Sequence, residues 1–176
     1  MSSEALFLAL IAATALERGV ELLVSRRNVA WSLARGGREY GREQYPFMVV
    51  LHAALLVGAP AEVLLLHRPF VPRLGWPMLG LALGAQALRW TVVRTLGPHW
   101  TTKVIVVPGH RRIRSGPYRW ARHPNYLAVV VEGFALPLVH SAWITAAAFT
   151  IANLRLLARR IRCEEAALRE AASTCA

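Results

Sequence analysis

The arginines of this chain are not spread evenly; they alternate with long apolar runs. Arg26, Arg27, Arg35, Arg38 and Arg42 fall in one stretch between such runs. Lys103, Arg111, Arg112, Arg114, Arg119 and Arg122 fall in a second, and Arg155, Arg159, Arg160, Arg162 and Arg169 in a third near the C-terminus. The connections in between hold only Arg68 and Arg73, and then none. Basic loops on every second connection are the signature of a multi-pass membrane protein with those loops in the cytoplasm. The formal charge of +11 could otherwise point to nucleic acid. A nucleic-acid surface, however, has no reason to alternate with apolar segments, so none is expected. The 55% hydrophobic composition agrees with a membrane chain.

Five apolar segments follow from this pattern: about Glu4 to Val24, Pro46 to Leu66, Leu74 to Leu96, Asn125 to Val139, and Ala142 to Arg160. The fourth is short, and His140-Ser141 turns it directly into the fifth, which predicts a helical hairpin. The expected fold is therefore all-α and integral to the membrane. About five spans form one domain over residues 1–176, with the N-terminus outside and the last two spans paired. Residues 1–97 hold three spans; residues 98–176 hold a cytoplasmic loop, the hairpin and a C-terminal helix. The first run lacks a basic region ahead of it and is read as a retained span, not a cleaved signal.

The charges inside these runs need partners. Glu17, Glu21 and Ser25 share one helix face at i, i+4, i+8, which must turn inward, either to pair with Arg18 or to face a substrate. Arg89 and Arg94 are expected to snorkel to the interface. Gly75, Gly80 and Gly84 permit close helix packing. The stretch Ser25 to Tyr45 reads as a loop anchored by Trp31 and Tyr40. Thr101 to Val107 is β-branched and reads as a short strand, with Arg111 to Arg114 as its partner.

The most polar and irregular stretch is Val107 to Tyr126, broken by Gly109, Gly116, Pro108, Pro117 and Pro124. It places His110, Tyr118, Arg122, His123, Asn125 and Tyr126 near one end of the bundle, where the helix after Arg160 brings Glu164 and Glu165. No metal-ligand spacing, nucleophile elbow or phosphate loop is present, so no metal is expected. Carboxylates, turn amides, an imidazole and phenols suit a zwitterionic cofactor with a ring.

Gly116-Pro117-Tyr118, Arg122-His123-Pro124-Asn125-Tyr126 and Arg159-Arg160-Ile161-Arg162-Cys163-Glu164-Glu165-Ala166-Ala167-Leu168, with Gly109-His110 ahead of them, resemble the isoprenylcysteine carboxyl methyltransferase family. These are integral-membrane enzymes that use S-adenosylmethionine and release S-adenosylhomocysteine. The resemblance implies cofactor binding by His110, Tyr118, His123, Pro124, Tyr126 and Glu164, and catalytic roles for Arg122, beside the methyl acceptor, and Glu165. The family pattern continues with Phe-Gly and paired tyrosines that are not in this sequence, so no residue is carried over there. The first half, Glu21 to Asn28, Gly37 to Gly41 and Tyr45-Pro46 with His52, resembles bacterial relatives that O-methylate alkylpyrones or alkylresorcinols. That implies a lipophilic small-molecule acceptor met by Glu39, Tyr40 and His52, at the cytoplasmic face of the inner membrane. Two alternatives stay open: carboxyl methylation of a prenylated cysteine, and a non-enzymatic transport or scaffold protein.

Overall fold

The computed structural model describes residues 2–109 and 113–173. Its helices are α1 (Ser3–Leu33), α2 (Tyr45–Leu65), α3 (Pro72–Leu96), α4 (Pro124–Leu138) and α5 (Trp143–Ser173). Two short strands, β1 (Arg38–Tyr40) and β2 (Val104–Val106), pair antiparallel with Glu39 opposite Ile105. α4 packs between α3 and α5, and α2 lies against α5 and α1. One end of the bundle is closed by apolar packing of Phe7, Ile11, Ala59, Val63, Leu136 and Val139. The loops and the sheet gather at the other.

Local chemistry sets the element ends. The Ser2 hydroxyl accepts from the Ala5 amide at the start of α1, and Pro72 opens α3 in its first turn. Gly97, at φ 53°, ends α3. Glu62 caps α5 from a neighbouring helix: its carboxylate accepts from the amides of Ile144 (3.1 Å) and Thr145 (2.7 Å) and pairs with Arg68 (3.0 Å).

Three sequence expectations need correction. The first helix does not stop at Val24 but continues to Leu33, because nothing between Val24 and Leu33 breaks it. The added turns are useful: the Thr102 amide donates to Ser25 (2.9 Å), and Asn28 donates to the carbonyls of Trp100 (2.7 Å) and Gly97 (3.1 Å), which fastens the loop after α3. The partner of β2 is β1, not the stretch around Arg114; Arg111 and Arg112 lie outside the described residues. Arg89 does not snorkel. It is buried, and its guanidinium grips Glu21 on α1 through Nε and Nη2.

Glu21, 2% exposed, is the centre of a polar ladder. Arg18 donates to Glu21 at 2.5 Å, to Gln86 on α3 at 2.7 Å and to Glu132 on α4 at 2.9 Å, while Trp90 donates to Glu17. Beyond the apolar Phe7 and Ile11, the buried face of α1 reads Thr14, Glu21, Ser25, Asn28, Ser32. Its outer face exposes Leu16, Val20 and Leu23, and Phe47, Val50, Val57 and Leu65 stand exposed on α2. Among the described residues one helical stretch, residues 42–65, is long and apolar enough by itself to cross a membrane. α1 and α3 carry the charges of the ladder, and α4, with 15 residues, is about 22 Å long.

The glycines divide. A β-carbon at Gly133 would collide with the Phe149 ring where α4 meets α5, and one at Gly75 would meet Phe70, whereas Gly80 and Gly84 face open space. Gly133→Val is therefore expected to cost about 1–3 kcal/mol through overpacking, read as a lowered unfolding temperature in detergent. Gly84→Ala should leave that temperature unchanged or raise it.

Candidate functional site

Two cavities meet inside the loop end. The larger, ≈ 230 Å³, is walled mainly by apolar side chains of α1, α2, α4 and α5, among them Leu22, Met48, Val49, Leu56, Val129 and Leu157. Arg18, Glu21, His52 and Arg89 lie along one part of it. The smaller, ≈ 120 Å³, is formed by β2, Tyr118, His123, Tyr126, Glu164 and Leu168. Trp100, Thr101, Asn125, Tyr126 and Arg160 border both and form the partition between them.

The partition is built by a helix start and a helix extension. His123 and Pro124 open α4, with the His123 carbonyl accepting from the amides of Tyr126 (3.1 Å) and Leu127 (3.3 Å). The rings of His123 and Tyr126 then stack at 5.4 Å. From α5, Glu164 accepts from the Tyr126 hydroxyl, and Glu165 Oε1 lies 3.4 Å from His123 Nε2. Arg160, one turn before Glu164, donates from Nε to Tyr126 Oη (3.1 Å) and from Nη2 to the Thr102 carbonyl (2.6 Å). Arg160 is buried at the junction of the two cavities.

The predicted residues sort as follows. Tyr118, His123, Tyr126 and Glu164 all border the small cavity. Pro124 is buried as the first residue of α4. Glu165 borders neither cavity and instead orients His123. Arg122 is exposed and borders neither cavity. His52 lines the large cavity, but Glu39 and Tyr40 lie on β1 outside both walls, and Glu39 is held by Lys103 at 2.9 Å. His110 lies outside the described residues. Arg160, Trp100 and Asn153 are functional candidates that sequence reasoning missed; Asn125, already grouped with the polar loop residues, borders both cavities. For Arg160 the signal was present: it stands at i−4 to Glu164, on the same face.

Cys163 is half-buried beside Gly41. Burial, and after it the Glu43 carboxylate, push its thiol up, which keeps it protonated and a poor nucleophile.

Two buried atoms of the partition have no partner among the described residues: the Trp100 indole N–H and Asn125 Oδ1. Left so, each costs about 1–3 kcal/mol. An unpaired donor, an unpaired acceptor, the Glu164 carboxylate and two aromatic faces fit a molecule that has hydroxyls, a cationic centre and a ring.

Residues 78–170 match the Isoprenylcysteine carboxyl methyltransferase (ICMT) family. The chain belongs to the isoprenylcysteine carboxyl methyltransferase family. It is 38% identical over 168 residues to the uncharacterized protein YpbQ of Bacillus subtilis (strain 168), covering 94% of this chain and 98% of that one. It is 30% identical over 154 residues to an uncharacterized protein of Haemophilus influenzae, covering 86% and 88%. Its fold matches the solved eukaryotic intramembrane Ras methyltransferase ICMT with a TM-score of 0.57 at 22% identity, over 70% of this chain and 45% of that one. The stretch matching the ICMT family holds the whole partition, from Trp100 to Arg160. Leu22, Tyr45, Met48 and His52, which complete the large cavity, lie before it.

Proposed function

We propose that the protein is a membrane O-methyltransferase that uses S-adenosylmethionine and acts on a long-chain alkylresorcinol or alkylpyrone. The observation that carries this reading is the partition: one polar and one apolar cavity share a wall made of Tyr126, Asn125, Trp100, Thr101 and Arg160. The polar cavity suits the cofactor and the apolar one an acyl-chain acceptor. The exposed Leu and Val faces over a polar interior support a bilayer setting, since the reverse arrangement is the rule in water. The pairing of α1 and α3 through buried charges supports five helices spanning together, and the arginine pattern supports a cytoplasmic loop end.

The residues that would hold the cofactor are Tyr118, His123, Tyr126 and Glu164, with Trp100 and Asn125 in the wall shared with the apolar cavity. When bound, S-adenosylmethionine supplies a methyl group on a cationic sulfur, which passes to the acceptor oxygen and leaves S-adenosylhomocysteine. The chain supplies the rest. His52 Nδ1 lies 2.8 Å from the Met48 carbonyl, which can only accept, so Nδ1 carries the hydrogen and Nε2 keeps its lone pair. In the large cavity that nitrogen takes the proton from the acceptor hydroxyl. The Arg160 guanidinium then stabilises the oxyanion. The apolar walls exclude water and position the reacting groups. A carboxylate acceptor needs no base, so His52 favours a hydroxyl acceptor over a prenylated cysteine.

The test is calorimetric binding of S-adenosylmethionine to detergent-purified protein and to His123→Ala. Binding to the first and a loss of about tenfold or more in the second are expected from removing the stacked ring. No binding to folded wild-type protein sinks the reading. Turnover of a prenylcysteine but of no phenol or pyrone would keep the enzyme and replace the acceptor.

A further inference from the structure

Two side chains in the wall of the large cavity offer hydrogen bonds that nothing among the described residues takes up. Asn153 on α5 is 1% exposed, and both its Oδ1 and its Nδ2 lack a partner. Arg89 on α3 is 7% exposed; Nε and Nη2 hold Glu21, but Nη1 lacks a partner. Both residues border the cavity. The surrounding wall is largely apolar, so the chain itself supplies little to satisfy them. Buried amides without partners are expensive, and such groups are kept where a ligand completes them.

The donor set specifies the ligand. The Asn153 amide presents one acceptor and one donor side, and Arg89 adds an N–H donor. The Arg89 charge is already balanced by Glu21, so Nη1 suits a neutral hydroxyl or carbonyl oxygen rather than a carboxylate. Asn153 stands seven residues before Arg160, two helical turns and about 10 Å along α5 on the same face. On this assignment an oxygen bound there is a second one, beside the oxygen that reacts at Arg160.

We propose that Asn153 and Arg89 Nη1 form a subsite for a second, unmethylated oxygen on the acceptor's head group, which restricts the cavity to long-chain ring compounds bearing two oxygens. This rests on the large cavity being the acceptor site. Asn153 and Arg89 are specificity residues on this assignment, since the reacting oxygen is assigned to His52 and Arg160.

The experiment measures equilibrium binding, without cofactor, of a long-chain alkylresorcinol and of the matching alkylphenol that lacks one hydroxyl. Wild-type protein should bind the dihydroxy probe about 10- to 100-fold more tightly, the range expected when a buried polar site is left unfilled. Asn153→Leu, of similar volume, should bring the ratio to within about threefold by weakening the dihydroxy probe alone. Its binding of S-adenosylmethionine should stay at the wild-type level, which shows that it is folded. Should Asn153→Leu fail to fold, Asn153→Asp, which keeps the acceptor and loses the donor, must shift the same ratio. A wild-type protein that binds the two probes equally, or a folded variant that keeps the full ratio, overturns the subsite. Adding S-adenosylmethionine separates the two ideas: discrimination in binding with no methylated product sinks the methyltransferase reading and leaves the subsite. Product without discrimination does the reverse.

Discussion

Arg160→Ala should lower kcat for methyl transfer by on the order of 10²- to 10³-fold, the usual cost of deleting a preorganised oxyanion donor from a water-excluded site. Among the described residues Arg160 is the only arginine that borders both cavities. Its geometry is fixed at two points, Tyr126 Oη at 3.1 Å and the Thr102 carbonyl at 2.6 Å. Nη1 approaches the soft Met48 sulfur at 3.5 Å, a weak acceptor, so it is the nitrogen that can turn to a developing oxyanion. An interaction made mainly in the transition state shows in kcat more than in KM. Arg160→Lys keeps the charge but not the fork, and should recover only part of the loss. Arg122→Ala, tested beside it, decides between the two arginines. If Arg122→Ala were inactive and Arg160→Ala active, the reacting oxygen would lie outside the partition and the two-cavity mechanism would fail.

Glu21→Ala should lower stability by about 3–5 kcal/mol, the cost of stripping one partner from a buried ion pair. For a chain of this size that corresponds to an apparent Tm lower by roughly 6–20 °C. The reason is that Glu21 serves two guanidinium groups at once. Arg18 still has Glu132 after the change, but Arg89 loses the acceptor of both its made bonds. Arg89→Leu alone should cost less, because the Glu21 carboxylate keeps Arg18 at 2.5 Å. The double variant Glu21→Leu/Arg89→Leu should be more stable than either single one, because it removes both charges together. Thermal unfolding in detergent reads all three; additive losses in the double variant would mean that the pair is not coupled.

Much of the helix plan was legible because apolar runs, prolines and glycines mark ends sharply. Pro72, Gly97, Pro124 and the His140-Ser141 turn place α3, α4 and the start of α5 within two residues; α5 itself runs on to Ser173. The polar residues were harder to read. Arg26, Arg27 and Asn28 look like a loop, yet α1 runs through them because its buried stripe of Ser25, Asn28 and Ser32 has a loop to hold. The β1–β2 pairing joins segments more than 60 residues apart, and no local pattern announces such a contact. His123, Tyr126 and Glu164 were picked out correctly as neighbours, since a hairpin with a long second helix must bring them together. Asn153 was missed because a single amide in an apolar helix reads as packing until its surroundings are known. Glu39 and Tyr40 were chosen by resemblance alone, and their strand holds them away from both cavities.

The Arg18–Glu132 contact carries a consequence for how the protein is made. The two residues lie 114 positions apart. At ordinary synthesis rates of about 5–20 residues per second, roughly 6–23 s pass between the emergence of the first and of the second. During that interval α1 carries Glu17, Arg18 and Glu21 with only local pairing, and Arg89 arrives before Glu132 does. A helix in that state gains little from entering lipid alone. It is best kept beside the insertion machinery until α3 and then α4 emerge, so that the ladder closes as one unit and the bundle is released already assembled.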